Sequence, residues 1–232
     1  MNAGMSERPA TAPSADRGTM IRLLNAAERL FGEHGYDGVG MRELAEKAHV
    51  NLGAATYHFG SKKALYLEAF LRRFRPINAE RLRLLEQAQA QGTPLTVERI
   101  AECLARPSFS LAFTHPSFNA LQARNLLTPP AFLHEAVIRE FEPNMRAFAA
   151  ALQTCLPQVP ERLVHIRIMF AMGSLLMFST QIRRMRVMRN PATYDAMLKE
   201  LVRFIAGGLQ SDPADPAMQW PAPPRARRTR RS

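Results

Sequence analysis

The chain has 232 residues, 47% of them hydrophobic, and Lys plus Arg exceed Asp plus Glu by 31 to 20. That length can bury a sizeable core in one or two domains, and the charge suits a polyanionic partner while saying nothing about fold. Two isolated cysteines without CxxC spacing argue against a disulfide framework and for a reducing, cytoplasmic setting, and the N-terminal stretch lacks the apolar core of an export signal.

Residues Met1–Gly18, rich in Ala, Pro, Ser and Thr, are expected to be disordered. A first helix is predicted from Thr19 to His34. Met20, Leu23, Leu24, Ala27, Leu30 and Phe31 recur at helical spacing, Thr19 is a candidate N-cap, and Gly35 ends the helix. Two short helices follow within Gly40–Phe59. Met41–Ala48 sets Leu44, Ala45 and Ala48 on one face, and the small Ala45 allows a second helix to cross closely. His49-Val50-Asn51 makes the turn, with Val50 as its buried apolar residue and Asn51 as N-cap of Leu52–His58. Two short helices joined this way expose the N-terminal part of the second, the geometry that brings side chains to base edges in the major groove.

Ser61 caps a longer helix carrying Ala64, Leu65, Phe70 and Phe74, which Pro76 is expected to kink or end. Leu82–Gln91 is helical in pattern and stops at Gln91-Gly92-Thr93-Pro94. Further helices are predicted over Thr96–Ala105, Ser117–Leu126, Pro130–Leu156, Glu161–Arg189 and Ala192–Gln210, separated by prolines, with Pro143 as an internal kink. The longest apolar stretch, Ile168–Phe178, is well short of the roughly 20 residues that span a bilayer and reads as a buried helix. No run alternates long enough for a sheet, so the fold class is all-α. Ser211–Ser232 turns Pro-rich and then Arg-rich, and is read as a disordered basic tail.

Catalytic chemistry finds little support. The six histidines make no i, i+4 pair, no Cys/His metal spacing occurs, and neither GxSxG nor a phosphate loop is present. The reading is therefore not an enzyme, with no cofactor and no metal.

The series Glu28-Arg29-Leu30-Phe31-Gly32-Glu33-His34-Gly35-Tyr36, Arg42-Glu43-Leu44-Ala45, Val50-Asn51-Leu52-Gly53 and Tyr57-His58-Phe59-Gly60-Ser61-Lys62-Lys63-Ala64-Leu65 resembles, in order and spacing, the first four helices of the TetR family of transcriptional regulators. The resemblance covers about Thr19–Phe74, and departs where His49 replaces a common Gly, Ala55-Thr56 replaces Leu-Tyr, and Gly40 replaces Thr or Ser. It implies a helix-turn-helix DNA-binding domain over 19–75 and a helical ligand-binding and dimerisation domain over 76–210. Arg42 is expected to bond a phosphate or reach a base, and Tyr57, His58 and Lys62 to contact phosphates, the alternative for His58 being packing against the first helix, with Asn51 opening the recognition helix; the N-terminus of the helix after Ser61 favours an anion beside Lys62. Leu52, Gly53, Ala54 and Thr56 are expected to face the groove, where Leu52, Ala54 and the Thr56 methyl can touch thymine methyls and the Thr56 hydroxyl a base edge.

In the C-terminal part, Phe109, Phe113, Phe118, Leu121, Phe132, Phe141, Met145, Phe148, Met169, Met172 and Phe178 are candidates to line an apolar ligand cavity, because Phe and Met together suit adaptable pockets. Resemblance to the branches of the family that carry the Tyr57-His58-Phe59-Gly60-Ser61-Lys62 run implies an acyl or aromatic effector. Ile166, Met169, Phe170, Gly173, Leu176 and Met177 form one apolar face, and Leu198, Leu201, Val202, Ile205 and Leu209 another; pairing these faces between two chains would give a four-helix homodimer interface. The expected partners are a double-stranded DNA operator, an apolar effector and a second copy, with no membrane.

Overall fold

The computed structural model describes residues 12–181 and 191–212, which form nine α-helices and no strand. They are α1 (Ala12–His34), α2 (Met41–Lys47), α3 (Leu52–Phe59), α4 (Lys62–Ala90), α5 (Val97–Thr114), α6 (Pro116–Leu127), α7 (Ala131–Cys155), α8 (Glu161–Gln181) and α9 (Pro191–Gln210). The predicted end of the eighth helix at Arg189, most of the expected disordered N-terminus and all but the first two residues of the expected basic tail lie outside the described residues.

Two expectations are corrected. The first helix begins at Ala12 rather than Thr19, so residues 12–18 are helical. Pro13 falls in the first turn, where a missing amide costs nothing, and Asp16 gains a partner in His58 at 3.1 Å. Pro76 does not end its helix: α4 runs unbroken through it, and α5 continues through Pro107, past the expected end at Ala105; Pro143 lies inside α7, as expected. An internal proline costs about 3 kcal/mol. In α4 that cost is outweighed because Phe70, Phe74 and Ile77 on one side and Leu85 and Ala88 on the other are all buried along one stripe. Pro116, by contrast, opens α6 at its first position.

Two apolar cores hold the molecule. One gathers Leu23, Ala27, Phe31, Leu44, Ala55, Leu65 and Ala69 from α1–α4 together with Phe118 and Leu121 of α6 and Leu133 and Ala136 of α7. The other joins the C-terminal end of α4 with α5, the second half of α7, α8 and α9. At 1.5 Å per residue α4 is about 43 Å long and belongs to both. The first core therefore crosses residue 75: the helix-turn-helix unit is seated on α6. There α1 approaches so closely that a Cβ on Gly32 would meet the Leu121 amide nitrogen at 3.0 Å. Arg124 of α6 seals the contact, donating from Nε to the Gly32 carbonyl at 3.1 Å and from Nη2 to the Glu33 carbonyl at 2.6 Å. Glu28 of α1 is buried between Arg72 and Arg73 of α4, accepting from them at 2.5 and 3.0 Å.

The apolar stretch Ile168–Phe178 is two-faced rather than wholly buried. Ile168, Ala171 and Leu175 are buried, whereas Met169, Phe170 and Met177 are exposed. By length and composition α8 is apolar enough to cross a membrane, but it carries the buried Arg167, which donates to the carbonyls of Leu209 and Ser211 and so ties it to the end of α9. Cys103 and Cys155 are free thiols, each pushed above the usual thiol range by burial.

Candidate nucleic-acid interface and apolar cavity

The segment 40–60 forms two short helices around a tight turn. Gly40 precedes α2 in an extended conformation without a side-chain cap, and Ala48 ends it. His49 turns the backbone into the left-handed region at φ 54°, the conformation that glycine adopts most easily. The Val50 amide returns to the Ala45 carbonyl at 3.0 Å, and Val50 is half-buried rather than buried. Asn51 then caps α3: its Oδ1 accepts from the Ala54 amide at 2.6 Å. Gly60, at φ 69°, ends α3, and Ser61 caps α4 by accepting from the Ala64 amide at 3.2 Å. These caps define both ends of α3 and the start of α4.

Packing fixes which face of α3 looks outward. Ala55 is fully buried against the first core, while Leu52 is 45% exposed and Tyr57 81% exposed. Gly53 and Thr56 are also exposed, and Ala54 is half-buried. Large apolar side chains left in water on a short, rigidly capped helix form a surface built for contact. Arg42 stands exposed at the start of α2, with Glu46 at 3.9 Å as its nearest carboxylate.

Two predicted contact residues are engaged inside the molecule. The His58 side chain is 7% exposed, with Nε2 3.1 Å from Asp16 Oδ1. Lys62 Nζ donates to the Tyr36 carbonyl at 3.0 Å and lies 4.3 Å from the centroid of the Tyr36 ring. An ammonium has three donors, so two remain for another acceptor.

The C-terminal half contains a cavity of about 240 Å³ between α4, α5, α6, α7 and α8. Phe74, Ile77, Val137, Phe141, Met169, Met172, Gly173, Leu175 and Leu176 give it apolar walls, and Arg81, Ser108 and Gln122 are its polar members. Of the predicted lining residues it brings together Phe141, Met169 and Met172. The others sit elsewhere. Phe109 and Phe148 are fully packed in the second core, Phe178 stacks on Phe109 at 5.9 Å, and Met145 packs against the same cluster. Phe118 and Leu121 are fully buried in the first core, and Phe132 stands edge-on to Tyr36 and Tyr66. The Phe113 side chain lies outside the described residues.

The predicted pairing faces also divide. Phe170, Gly173 and Met177 are exposed, and Ile166, Leu176 and Val202 half-buried. Leu198, Leu201, Ile205 and Leu209 are spent inside the chain's own second core, because that stripe of α9 lies against α5 and α8. The outward aromatic of α9 is Phe204, 67% exposed, which the sequence reading missed. With Phe170, Ser174, Gly207 and Gly208 it borders a shallow groove of about 460 Å³ between α8 and α9. Arg81 was missed as well. Its signal is legible: it falls on the Phe74, Ile77, Leu85 stripe, but a helix read as kinked or ended at Pro76 hides that phase.

Comparison with known proteins agrees with this geometry. Residues 23–69 match bacterial regulatory proteins of the tetR family, and residues 102–208 match the tetracyclin repressor-like C-terminal domain. The HTH-type transcriptional dual regulator CecR of Shigella flexneri is 30% identical over 169 residues, which span 68% of this chain and 74% of CecR. The HTH-type transcriptional repressor AcnR of Corynebacterium efficiens is 44% identical over 45 residues, 19% of this chain and 24% of AcnR. The crystal structure of the transcriptional regulator FadR from Bacillus subtilis in complex with stearoyl-CoA superposes with a TM-score of 0.58 at 14% identity, covering 81% of this chain and 98% of that one, a likeness of fold alone. A capped, outward-facing α3 behind a tight turn, both halves of the family match and a relative alike over most of its length lead to one conclusion: the chain belongs to the TetR family of helix-turn-helix transcriptional regulators.

Proposed function

We propose that the protein is a cytoplasmic repressor that binds a palindromic operator in double-stranded DNA as a homodimer and is released by a small, largely apolar acyl or aromatic ligand. The observation that carries the reading is α3: helical, capped at both ends, anchored by Ala55, and presenting Leu52, Gly53, Thr56 and Tyr57 to solvent. Residues 19–75 act as the DNA-binding unit, with Arg42, Tyr57 and Lys62 on phosphates. A face this apolar makes few direct hydrogen bonds to bases, so operator shape and bending carry much of the specificity.

The homodimer is supported by the exposed Phe170 and Met177 of α8 and Phe204 of α9, an apolar face left uncovered among the described residues. One short recognition helix binds weakly, and a second linked copy supplies a high effective concentration. The ligand reading is supported by the apolar cavity and by the fold shared with FadR, which binds stearoyl-CoA in the complex cited above; repression is supported by the name of AcnR. Release follows if the ligand binds better to a dimer whose recognition helices no longer match successive grooves, since only differential affinity shifts such an equilibrium.

Selection of bound duplexes from a random pool tests the reading. A two-fold symmetric consensus with half-sites one helical turn apart or a multiple of it is expected. Recovery of no consensus, or of an asymmetric single site, overturns it.

A further inference from the structure

Arg81 lies midway along α4 with 1% of its surface exposed. Its Nε donates to the Leu104 carbonyl at 3.0 Å, its Nη1 to Asn78 Oδ1 at 3.0 Å and its Nη2 to Ser108 Oγ at 2.7 Å. All three acceptors are neutral, and among the described residues no carboxylate pairs with it. The contrast within the same helix is informative: Arg72 and Arg73 share Glu28, and Arg75 has both Glu68 and Glu140. A guanidinium has five N–H donors in a flat fork, so two remain after these bonds. A buried charge without a counter-ion is strongly unfavourable. Burial alone pushes this guanidinium down to about 9 from its ordinary 12.5, with no opposing charge to restore it.

The charge stands at the wall of the 240 Å³ cavity, whose surface is otherwise apolar except for Ser108 and Gln122. Apolar walls with a few convergent polar groups are the usual design of a small-molecule site. We infer that this cavity receives a compact monocarboxylate, its carboxylate paired with Arg81 and its hydrocarbon body packed against Phe74, Phe141, Met172 and Leu176. Arg81 keeps N–H donors to spare for a carboxylate, which only accepts hydrogen bonds, and one anion neutralises this buried cation. At the packing density of protein interiors, about 0.74, the cavity holds roughly ten non-hydrogen atoms. That fits a medium-chain or phenyl-substituted acid. The inference rests on the ligand-released reading above and sharpens it: the effector is a free acid rather than a neutral compound or a thioester.

Calorimetric titration of the full-length protein with octanoate, 3-phenylpropanoate, their primary amides and octanoyl-CoA tests it. At least one acid is expected to bind, with its amide at least tenfold weaker and octanoyl-CoA weaker than octanoate. Arg81→Gln should erase the preference for acid over amide, whereas Met172→Trp, which keeps the charge and fills the space, should weaken the acid at least tenfold. The acid-against-amide comparison needs only the native protein, so it stands even if Arg81→Gln does not fold. Failure of both acids to bind, equal binding of acid and amide, or tighter binding of octanoyl-CoA overturns the inference. Operator binding measured on the same preparation separates the two levels. Intact operator binding without acid binding removes only this inference, and acid binding without operator binding removes only the DNA reading.

Discussion

Around α3 individual side chains take on work that a single residue type would not announce. Asn51 supplies the cap that an isolated eight-residue helix needs, since so short a helix is marginal in water. His49 accepts the left-handed backbone at φ 54°, which its kind tolerates better than β-branched residues do. Lys62 is held at the start of α4 by the Tyr36 carbonyl, so its ammonium is positioned before any DNA arrives. A charge placed in advance loses less entropy on contact than a free surface lysine does. Lys62→Ala is therefore expected to weaken binding to all duplexes alike and to flatten the plot of log affinity against log salt by about one unit. Binding measured between 50 and 200 mM salt, about the range over which such slopes are read, checks it; an unchanged slope removes Lys62 from the phosphate contacts.

Among the elements, α6 and α4 link the two halves. The first core contains Phe118 and Leu121 of α6, Arg124 of α6 binds the last carbonyls of α1, and the Tyr66 hydroxyl of α4 donates to Asn125 Oδ1 at 2.5 Å. Meanwhile Gln122 of α6 and Arg81 of α4 border the cavity. Both helices therefore pack against the helix-turn-helix unit and border the cavity. The α1–α6 crossing depends on Gly32: an added Cβ would lie 3.0 Å from the Leu121 amide nitrogen and 3.3 Å from the Ser117 carbonyl oxygen, both backbone atoms that cannot swing away. Gly32→Ala is expected to cost about 1–3 kcal/mol, read as a lower urea midpoint with an unchanged slope. A stability equal to the native protein's would mean that α1 and α6 do not cross this closely.

For the molecule as a whole, the balance of buried and exposed apolar surface points to a second copy. Phe170 is 68% exposed and Phe204 67%, and among the described residues a Cβ built on Gly173, Gly207 or Gly208 would meet nothing within 4 Å beyond its chain neighbours and its own helix backbone. Small residues and uncovered aromatics along adjoining stretches of α8 and α9 leave room for another chain to approach. The double variant Phe170→Asp/Phe204→Asp is expected to sediment as a monomer at micromolar concentration and to lose at least tenfold in operator affinity, while its helical circular dichroism stays native. A variant that remains dimeric places the interface on another face.

Local chemistry alone determined the helical class, the tight turn at 49–51, the caps at Asn51 and Ser61, and the outward face of α3, because caps, left-handed turns and helical periodicity act over neighbours a few residues apart. It placed Phe141, Met169 and Met172 at the cavity but could not separate them from Phe109, Phe118 and Phe148, since an apolar side chain looks the same whether it fills a core or lines a void. Tertiary packing decided that Pro76 and Pro107 stay inside helices, that Leu198, Leu201 and Ile205 serve the chain's own core and Phe204 does not, and that Arg81 ends buried with no carboxylate beside it among the described residues. Each of these outcomes turns on which helix lies against which, and that is set by summed burial across the fold rather than by any one segment's preference.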